Sequence, residues 1–184
     1  MQYQDELKEA VSRSHRLGIS NQDISLCSER YCSDERLMEL ISIIDETYGG
    51  ISMERLLGKC AQVHFDFLGD IRRIFHPEAL FTVGYVCSGE NEYFKFGESD
   101  IENWLKNGIN PNKMNLHAWV TLPSLEIIDL TFSATFAYVN KINEFGIAIT
   151  KHVSELNGMS YHPMLVGEEA VFKLGVVQSI AFAI

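Results

Sequence analysis

Apolar residues recur at helical spacing along the first half of the chain. In residues 2–17 and 34–48 the apolar positions fall three or four residues apart, so each segment predicts an amphipathic helix. A third helix is predicted to begin near Lys59, because the apolar positions of residues 60–75 follow the same period. Pro77 should end this helix, since the residue before a proline disfavours helical backbone.

The pattern changes to strand-like runs in the second half of the chain. Residues 79–89, "ALFTVGYVCSG", are rich in β-formers and bounded by turn formers. Residues 99–108 predict a short helix, and residues 115–132, "NLHAWVTLPSLEIIDLTF", predict two strands joined by a tight turn. Beyond this hairpin, "FSATFAYVNKI" fits a helix or a strand, whereas "SYHPMLVG" and "AVFKLGVVQSIAFAI" read as strand-like or buried.

Helices that precede strands predict the α+β class, with N-terminal helices packed on an antiparallel sheet. The 184 residues suit one domain with one substantial core, so we expect a single domain over residues 1–184. Within it we expect a helical part at 1–57, a central part at 58–132 and C-terminal strands at 133–184.

Composition and charge argue against several classes of function. A hydrophobic content of 46% is enough for a folded core and is not typical of disordered chains. The net charge of −10 comes without a basic patch, which argues against nucleic acid as a partner. An acidic surface favours a basic peptide or protein partner, although acidic balance more often serves only solubility.

The two ends of the chain bear on its location. The polar N-terminal stretch "MQYQDELKEAVSRSHRLGIS" has no apolar core of the kind found in signal peptides. The longest apolar run, "LGVVQSIAFAI", is too short for a bilayer and is interrupted by Gln178. We therefore expect no membrane association, and a protein that is cytoplasmic or exported without a cleavable signal peptide.

The cysteines are scattered and do not form the dense framework of a small disulfide-rich domain, so reduced thiols are expected. They lie at positions 27, 32, 60 and 87. No further histidines or cysteines stand at zinc-ligand spacing around the first two, so we expect neither a metal nor a cofactor.

The predicted hairpin carries chemistry on one of its faces. Alternation in the first strand puts His117 and Trp119 on the face opposite to the apolar side chains. A two-residue turn would point Asp129 away from His117, whereas a three-residue turn formed by residues 122–124 would set the two directly opposite each other. We favour the register with the three-residue turn. It also places the apolar side chains of both strands on one face and leaves Glu126 near water.

A histidine oriented by an aspartate is half of a nucleophilic site, and Cys60 is the best candidate for the nucleophile. Cys60 follows Gly58 and opens the third predicted helix, where the helix N-terminus would stabilise a thiolate. Its backbone N–H could also help to hold an oxyanion. The structural alternatives are a buried core cysteine and a core histidine satisfied by a nearby acid. His64 lies one turn later and could pair with Cys60, but its place on the apolar stripe favours a packed core histidine.

The ordered set "GKC", "FTVGYV", "HAWV" and "IIDLT" resembles the transglutaminase-like superfamily of papain-fold cysteine enzymes. The resemblance covers residues 58–132 and implies a papain-like or transglutaminase-like fold. It also implies that Cys60 is the nucleophile, His117 the general base and acid, and Asp129 the residue that orients His117. Trp119 would be a supporting, substrate-binding residue beside them. The segment before Cys60 lacks the glutamine or tryptophan that family members often place there for the oxyanion hole.

These residues predict cysteine-dependent acyl transfer on an amide bond through a thioester. If water is the acceptor, the chain is a peptidase, amidase or glutamine deamidase, and this is our default because water needs no second binding site. If an amine is the acceptor, the chain is a transglutaminase or N-acyltransferase. The sequence has no calcium-loop motif, which argues against a calcium-dependent transglutaminase. The alternative of another class is a non-catalytic binding domain on the same fold.

Overall fold

The computed structural model of the chain describes residues 2–110 and 115–176, and it has an α+β architecture in which helices cover a curled six-stranded antiparallel sheet. The helices are α1 Gln2–Arg16, α2 Asp34–Tyr48, α3 Met53–Leu56, α4 Cys60–Asp66, α5 Leu68–Ile74, α6 Glu98–Asn107, α7 Phe132–Val139 and α8 Glu169–Lys173, with a 3₁₀ turn at Val153–Glu155. The strands are β1 Leu80–Ser88, β2 Asn91–Tyr93, β3 His117–Thr121, β4 Glu126–Asp129, β5 Ile149–His152 and β6 Met159–Val166.

The N-terminal helices form where the apolar period predicted them. Ser33 caps α2, since its side chain accepts a hydrogen bond from the backbone N–H of Arg36 at 3.3 Å. Gly49 ends α2 in the left-handed conformation at φ 63°. The third predicted helix begins at Cys60 but is divided at Phe67 into α4 and α5.

The sheet is built around β1, with strands in the order β2-β1-β3-β4-β5 and β6 on β1 as well. A large apolar core fills one face of the sheet, where α2, α4 and α5 contribute Leu40, Val63 and Ile71. A smaller core on the other face is covered by α1, which buries Tyr3 and Leu7. Among the described residues, no helix has the length and apolar character needed to cross a bilayer.

The β3–β4 hairpin has the predicted faces but a different register. Thr121 pairs with Ile127, and the turn comprises residues 123–125, with Leu125 in the left-handed conformation at φ 64°. The prediction that His117 lies directly opposite Asp129 is therefore wrong, because the strands are shifted by two residues. A shift of two preserves the faces, so Asp129 remains on the His117 side as a diagonal neighbour.

Glu126 does not lie near water as predicted, since only 3% of its surface is exposed. Its carboxylate accepts hydrogen bonds from the backbone N–H groups of Tyr31 at 2.7 Å and Cys32 at 3.1 Å. The Ser124 hydroxyl donates to the same carboxylate at 2.6 Å. Glu126 thus anchors the loop that precedes α2 onto the hairpin turn, and a sequence pattern could not indicate that contact.

The C-terminal part is not made only of strands, contrary to the prediction for residues 133–184. The segment that fitted a helix or a strand is α7, and α8 follows β6 where a strand-like or buried run was expected. The Asp129 carboxylate stabilises the start of α7, because it accepts the backbone N–H groups of Thr131 and Phe132. The part of the C-terminal prediction that falls on residues 177–184 lies outside the described residues.

Candidate active site

The candidate nucleophile is the first residue of α4. The chain turns into this helix through Gly58, which has φ 68°, a conformation that favours glycine. The Cys60 thiol is buried, with 6% of the residue exposed, and its sulfur lies 3.7 Å from the carbonyl oxygen of Leu116. Because Leu116 immediately precedes β3, this contact brings the start of α4 beside the start of the strand that carries His117.

His117 and Asp129 form a buried hydrogen-bonded pair. The Nε2 atom of His117 lies 2.6 Å from Oδ2 of Asp129, and the two residues are 1% and 0% exposed. A distance this short is typical of a charge-assisted hydrogen bond. The structure therefore brings the predicted base together with its predicted orienting residue.

The Asp129 carboxylate is fixed by several donors besides His117. Its Oδ1 accepts the backbone N–H groups of Thr131 and Phe132, each at 2.9 Å. Its Oδ2 also accepts the hydroxyl of Tyr161 at 2.8 Å. Burial alone would raise the pKa of Asp129, but His117 and these hydrogen bonds hold it well below its usual range. Asp129 is accordingly an ionised carboxylate in a fixed orientation.

The protonation of His117 follows from its neighbours. Burial by itself would lower the pKa of His117, but the charge and hydrogen bond of Asp129, together with the nearby Cys60 thiol, raise it to about 10. The other ring nitrogen, Nδ1, is buried and makes no hydrogen bond of ordinary geometry to the described residues. Since Nε2 is engaged by Asp129, Nδ1 is the atom through which Cys60 influences the ring. His117 is thus a protonated imidazole whose second nitrogen is not engaged by Asp129.

A second buried histidine, His64, lies next to the pair and has the opposite character. Its Nε2 accepts the backbone N–H of Leu130 at 2.9 Å, so Nδ1 carries the proton and donates to the carbonyl of Cys60 at 2.7 Å. Burial lowers the pKa of His64 to about 4, although Asp129 opposes the shift. His64 is a neutral bridge between α4 and the end of β4, in line with its predicted structural role.

The two histidines should therefore titrate at opposite ends of the pH scale. We expect His117 to remain protonated up to about pH 10 and His64 to remain neutral down to about pH 4. Imidazole ¹⁵N chemical shifts in a pH series, assigned with His64→Gln and His117→Ala, would measure both transitions. Two histidines titrating together near pH 6.5 would contradict the assignment.

Three aromatic rings surround His117. Phe94 stacks on it with ring centroids 5.5 Å apart, Trp119 lies at 6.1 Å and Phe132 meets it edge-on at 5.5 Å. Trp119 is fully buried, and its Nε1 donates to the hydroxyl of Tyr3 at 3.0 Å. In this conformation Trp119 supports His117 and offers no exposed surface to a substrate, so its substrate-binding role stays a prediction.

Phe94 and Tyr161 belong to the site but were not predicted from the sequence. Phe94 is half-buried and adopts φ 63°, a conformation that is uncommon for an aromatic residue. Tyr161 lies in β6, in a run whose pattern indicated burial and nothing more. No local pattern marks either residue, because each reaches His117 or Asp129 only through the curled sheet.

The other histidines do not contact the three candidate residues. His162 bonds Glu6 and Ser160, and His152 bonds Ser154. Cys27, Cys32 and Cys87 are free thiols. Within residues 2–110 and 115–176, no group of three or more His, Cys, Asp or Glu side chains is arranged to hold a metal ion.

No protein-family model, curated protein or solved structure matches the chain.

Proposed function

We propose that this chain is a cysteine-dependent acyl-transfer enzyme of the transglutaminase-like, papain-fold kind. Its reaction would be hydrolysis of an amide bond in a peptide or protein through a thioester. The observation that carries the proposal is the buried His117–Asp129 bond of 2.6 Å, with the Cys60 sulfur 3.7 Å from the carbonyl of Leu116, the residue that precedes His117. This arrangement of thiol, imidazole and carboxylate is the set that nucleophilic catalysis by cysteine needs.

Acylation begins when the Cys60 thiolate attacks the carbonyl carbon of the amide. The developing oxyanion needs donors, and the backbone N–H of Cys60 is available for this because the first residue of a helix has no intrahelical acceptor. His117 then gives its Nδ1 proton to the leaving amine, so that the C–N bond breaks and a thioester remains. Asp129 keeps the imidazole in the orientation that both steps require.

Deacylation reverses the role of His117. Once Cys60 is acylated it no longer carries a negative charge, so one of the influences that raise the pKa of His117 is removed. The neutral imidazole can then take a proton from water, which attacks the thioester carbonyl and releases the acid. The C–S bond then breaks and Cys60 leaves as a thiolate beside His117, which keeps the proton taken from water, so the thiolate–imidazolium pair is restored. An amine in place of this water would give the transglutaminase or N-acyltransferase reaction.

The test of this proposal is the pH dependence of iodoacetamide alkylation, read for each cysteine by mass spectrometry. We expect Cys60 to react at pH 6, where an ordinary thiol is almost fully protonated, and His117→Ala to slow this reaction by a factor of about 100. Cys27 is exposed and serves as the internal reference in each protein.

A matched control is His162→Ala, which removes another carboxylate-bonded histidine, 3.0 Å from Glu6, outside the candidate site. This variant should leave the reactivity of Cys60 unchanged. If Cys60 is inert at pH 6, or reacts equally in wild type and His117→Ala, the enzymatic proposal fails. The remaining explanation would then be a non-catalytic binding domain.

A further inference from the structure

The phenol of Tyr161 bonds the same oxygen of Asp129 that binds His117. The Tyr161 hydroxyl lies 2.8 Å from Oδ2, and His117 Nε2 lies 2.6 Å from that atom. Tyr161 is 2% exposed and lies on β6, which is not a neighbour of β4, the strand that carries Asp129. A buried hydroxyl on an ionised carboxylate must act as the donor, because the carboxylate has no proton to give.

Packing holds the Tyr161 ring in place. Its centroid lies 5.0 Å from that of Trp119 in an edge-on contact and 6.3 Å from that of Phe132. Burial raises the pKa of Tyr161 well above its ordinary value, and the Asp129 charge adds to the effect. The phenol is therefore a neutral donor whose ring is held by its packing neighbours.

The two oxygens of Asp129 are held from different directions. The backbone N–H groups of Thr131 and Phe132 hold Oδ1 from the start of α7. The Tyr161 hydroxyl supplies the second fixed point at Oδ2. With both oxygens held, the plane of the carboxylate is set, and with it the direction from which His117 Nε2 can bond.

We propose that Tyr161 is a positioning residue of this active site, which fixes the Asp129 carboxylate so that His117 presents Nδ1 to Cys60. The inference rests on the proposed function, since it assigns a fourth residue to the same reaction. Tyr161 acts through Asp129 and does not itself contact the reacting atoms.

Tyr3 offers a matched control for Tyr161. It is also a buried tyrosine on the same face of the sheet, but its hydroxyl bonds Thr121 at 2.6 Å and Trp119 at 3.0 Å, not Asp129. Tyr3→Phe and Tyr161→Phe each remove one buried hydroxyl from one apolar cluster. A purely structural contribution would therefore affect the two variants alike.

The experiment compares Cys60 alkylation by iodoacetamide from pH 5 to pH 9 in wild type, Tyr161→Phe and Tyr3→Phe. We expect Tyr161→Phe to slow the reaction at pH 6 about tenfold and to move the profile to higher pH, and Tyr3→Phe to leave both unchanged. If Cys60 is activated in wild type and its pH profile of alkylation is the same in Tyr161→Phe, this inference is overturned and the proposed function stands. An equal effect of both variants would also overturn it. A wild type without activated Cys60 would instead defeat the proposed function, and this inference with it.

A second measurement does not depend on the folding of Tyr161→Phe. Site-specific 3-fluorotyrosine at position 161 makes the hydroxyl a stronger donor while keeping the shape of the ring. Because this donor competes with His117 for Oδ2, the Nε2–H proton resonance of His117 should move upfield relative to wild type. An unchanged resonance would overturn the positioning role.

Discussion

Asp129→Asn is expected to slow alkylation of Cys60 at pH 6 by a factor of about 100, returning it to the behaviour of an ordinary thiol. Asparagine can keep Oδ1 on the backbone N–H groups of Thr131 and Phe132, which leaves its NH₂ group facing His117. The imidazole must then accept at Nε2 and carry its proton on Nδ1 as a neutral ring. A neutral His117 with this tautomer can neither pair with a thiolate nor take a proton from Cys60.

The same substitution should change how stability depends on pH. The folded-state pKa of His117 is about 10 against an ordinary 6.5, so its contribution is complete below pH 6.5 and is lost as the pH rises towards 10. The pKa of Asp129 is depressed, so its contribution is complete above its ordinary value of 3.8 and is lost as the pH falls below it. Asp129→Asn removes both effects and should cost on the order of 3 kcal/mol of unfolding free energy at pH 6.

Urea denaturation from pH 5 to pH 10 measures the change in the pH dependence of stability. Alkylation by iodoacetamide measures the change in the reactivity of Cys60. Glu126→Gln is the matched control, because Glu126 is also a buried carboxylate on β4, held by the Tyr31 and Cys32 N–H groups. It should lower stability without changing the alkylation of Cys60. Equal Cys60 reactivity in wild type and Asp129→Asn would contradict the assigned role of Asp129.

Gly84→Ala should destabilise the protein by on the order of 3 kcal/mol. A Cβ atom at this position in β1 would lie 2.0 Å from the carbonyl oxygen of His162 and 2.7 Å from the ring of Trp119. The carbonyl belongs to the backbone of β6 and cannot move without disturbing the register shift between Val83 and Gly84. Gly84 also pairs with His117 across the ladder, so the displacement would reach the candidate site.

Gly69→Ala provides the comparison for Gly84→Ala. Gly69 is the second residue of α5, and a Cβ there would meet nothing within 4 Å. This variant should gain about 0.5–1 kcal/mol, because alanine loses less backbone entropy than glycine in a helix. Both free energies of unfolding come from urea titrations. A Gly84→Ala protein as stable as wild type would show that β1 and β6 can separate without cost.

Several features of this protein could be predicted locally because they depend on short-range periodicity. The apolar period of residues 34–48 predicted α2, and the start of α4 at Cys60 followed from the same rule. Alternation together with the favoured three-residue turn put His117 and Asp129 on one face, and the structure has them there at bonding distance. A strand's faces survive a shift of two residues, so this prediction held although the register was wrong.

The sequence by itself determined the α+β class, the position of Cys60 at a helix start and the face shared by His117 and Asp129. Only the tertiary structure decided which groups surround them. Tyr161 bonds Asp129 from a strand 32 residues away, His64 links α4 to Leu130, and Glu126 anchors a distant loop. The physical reason is that local periodicity fixes the direction of a side chain, whereas hydrogen-bond partners and pKa values depend on how the sheet curls and which elements cover it.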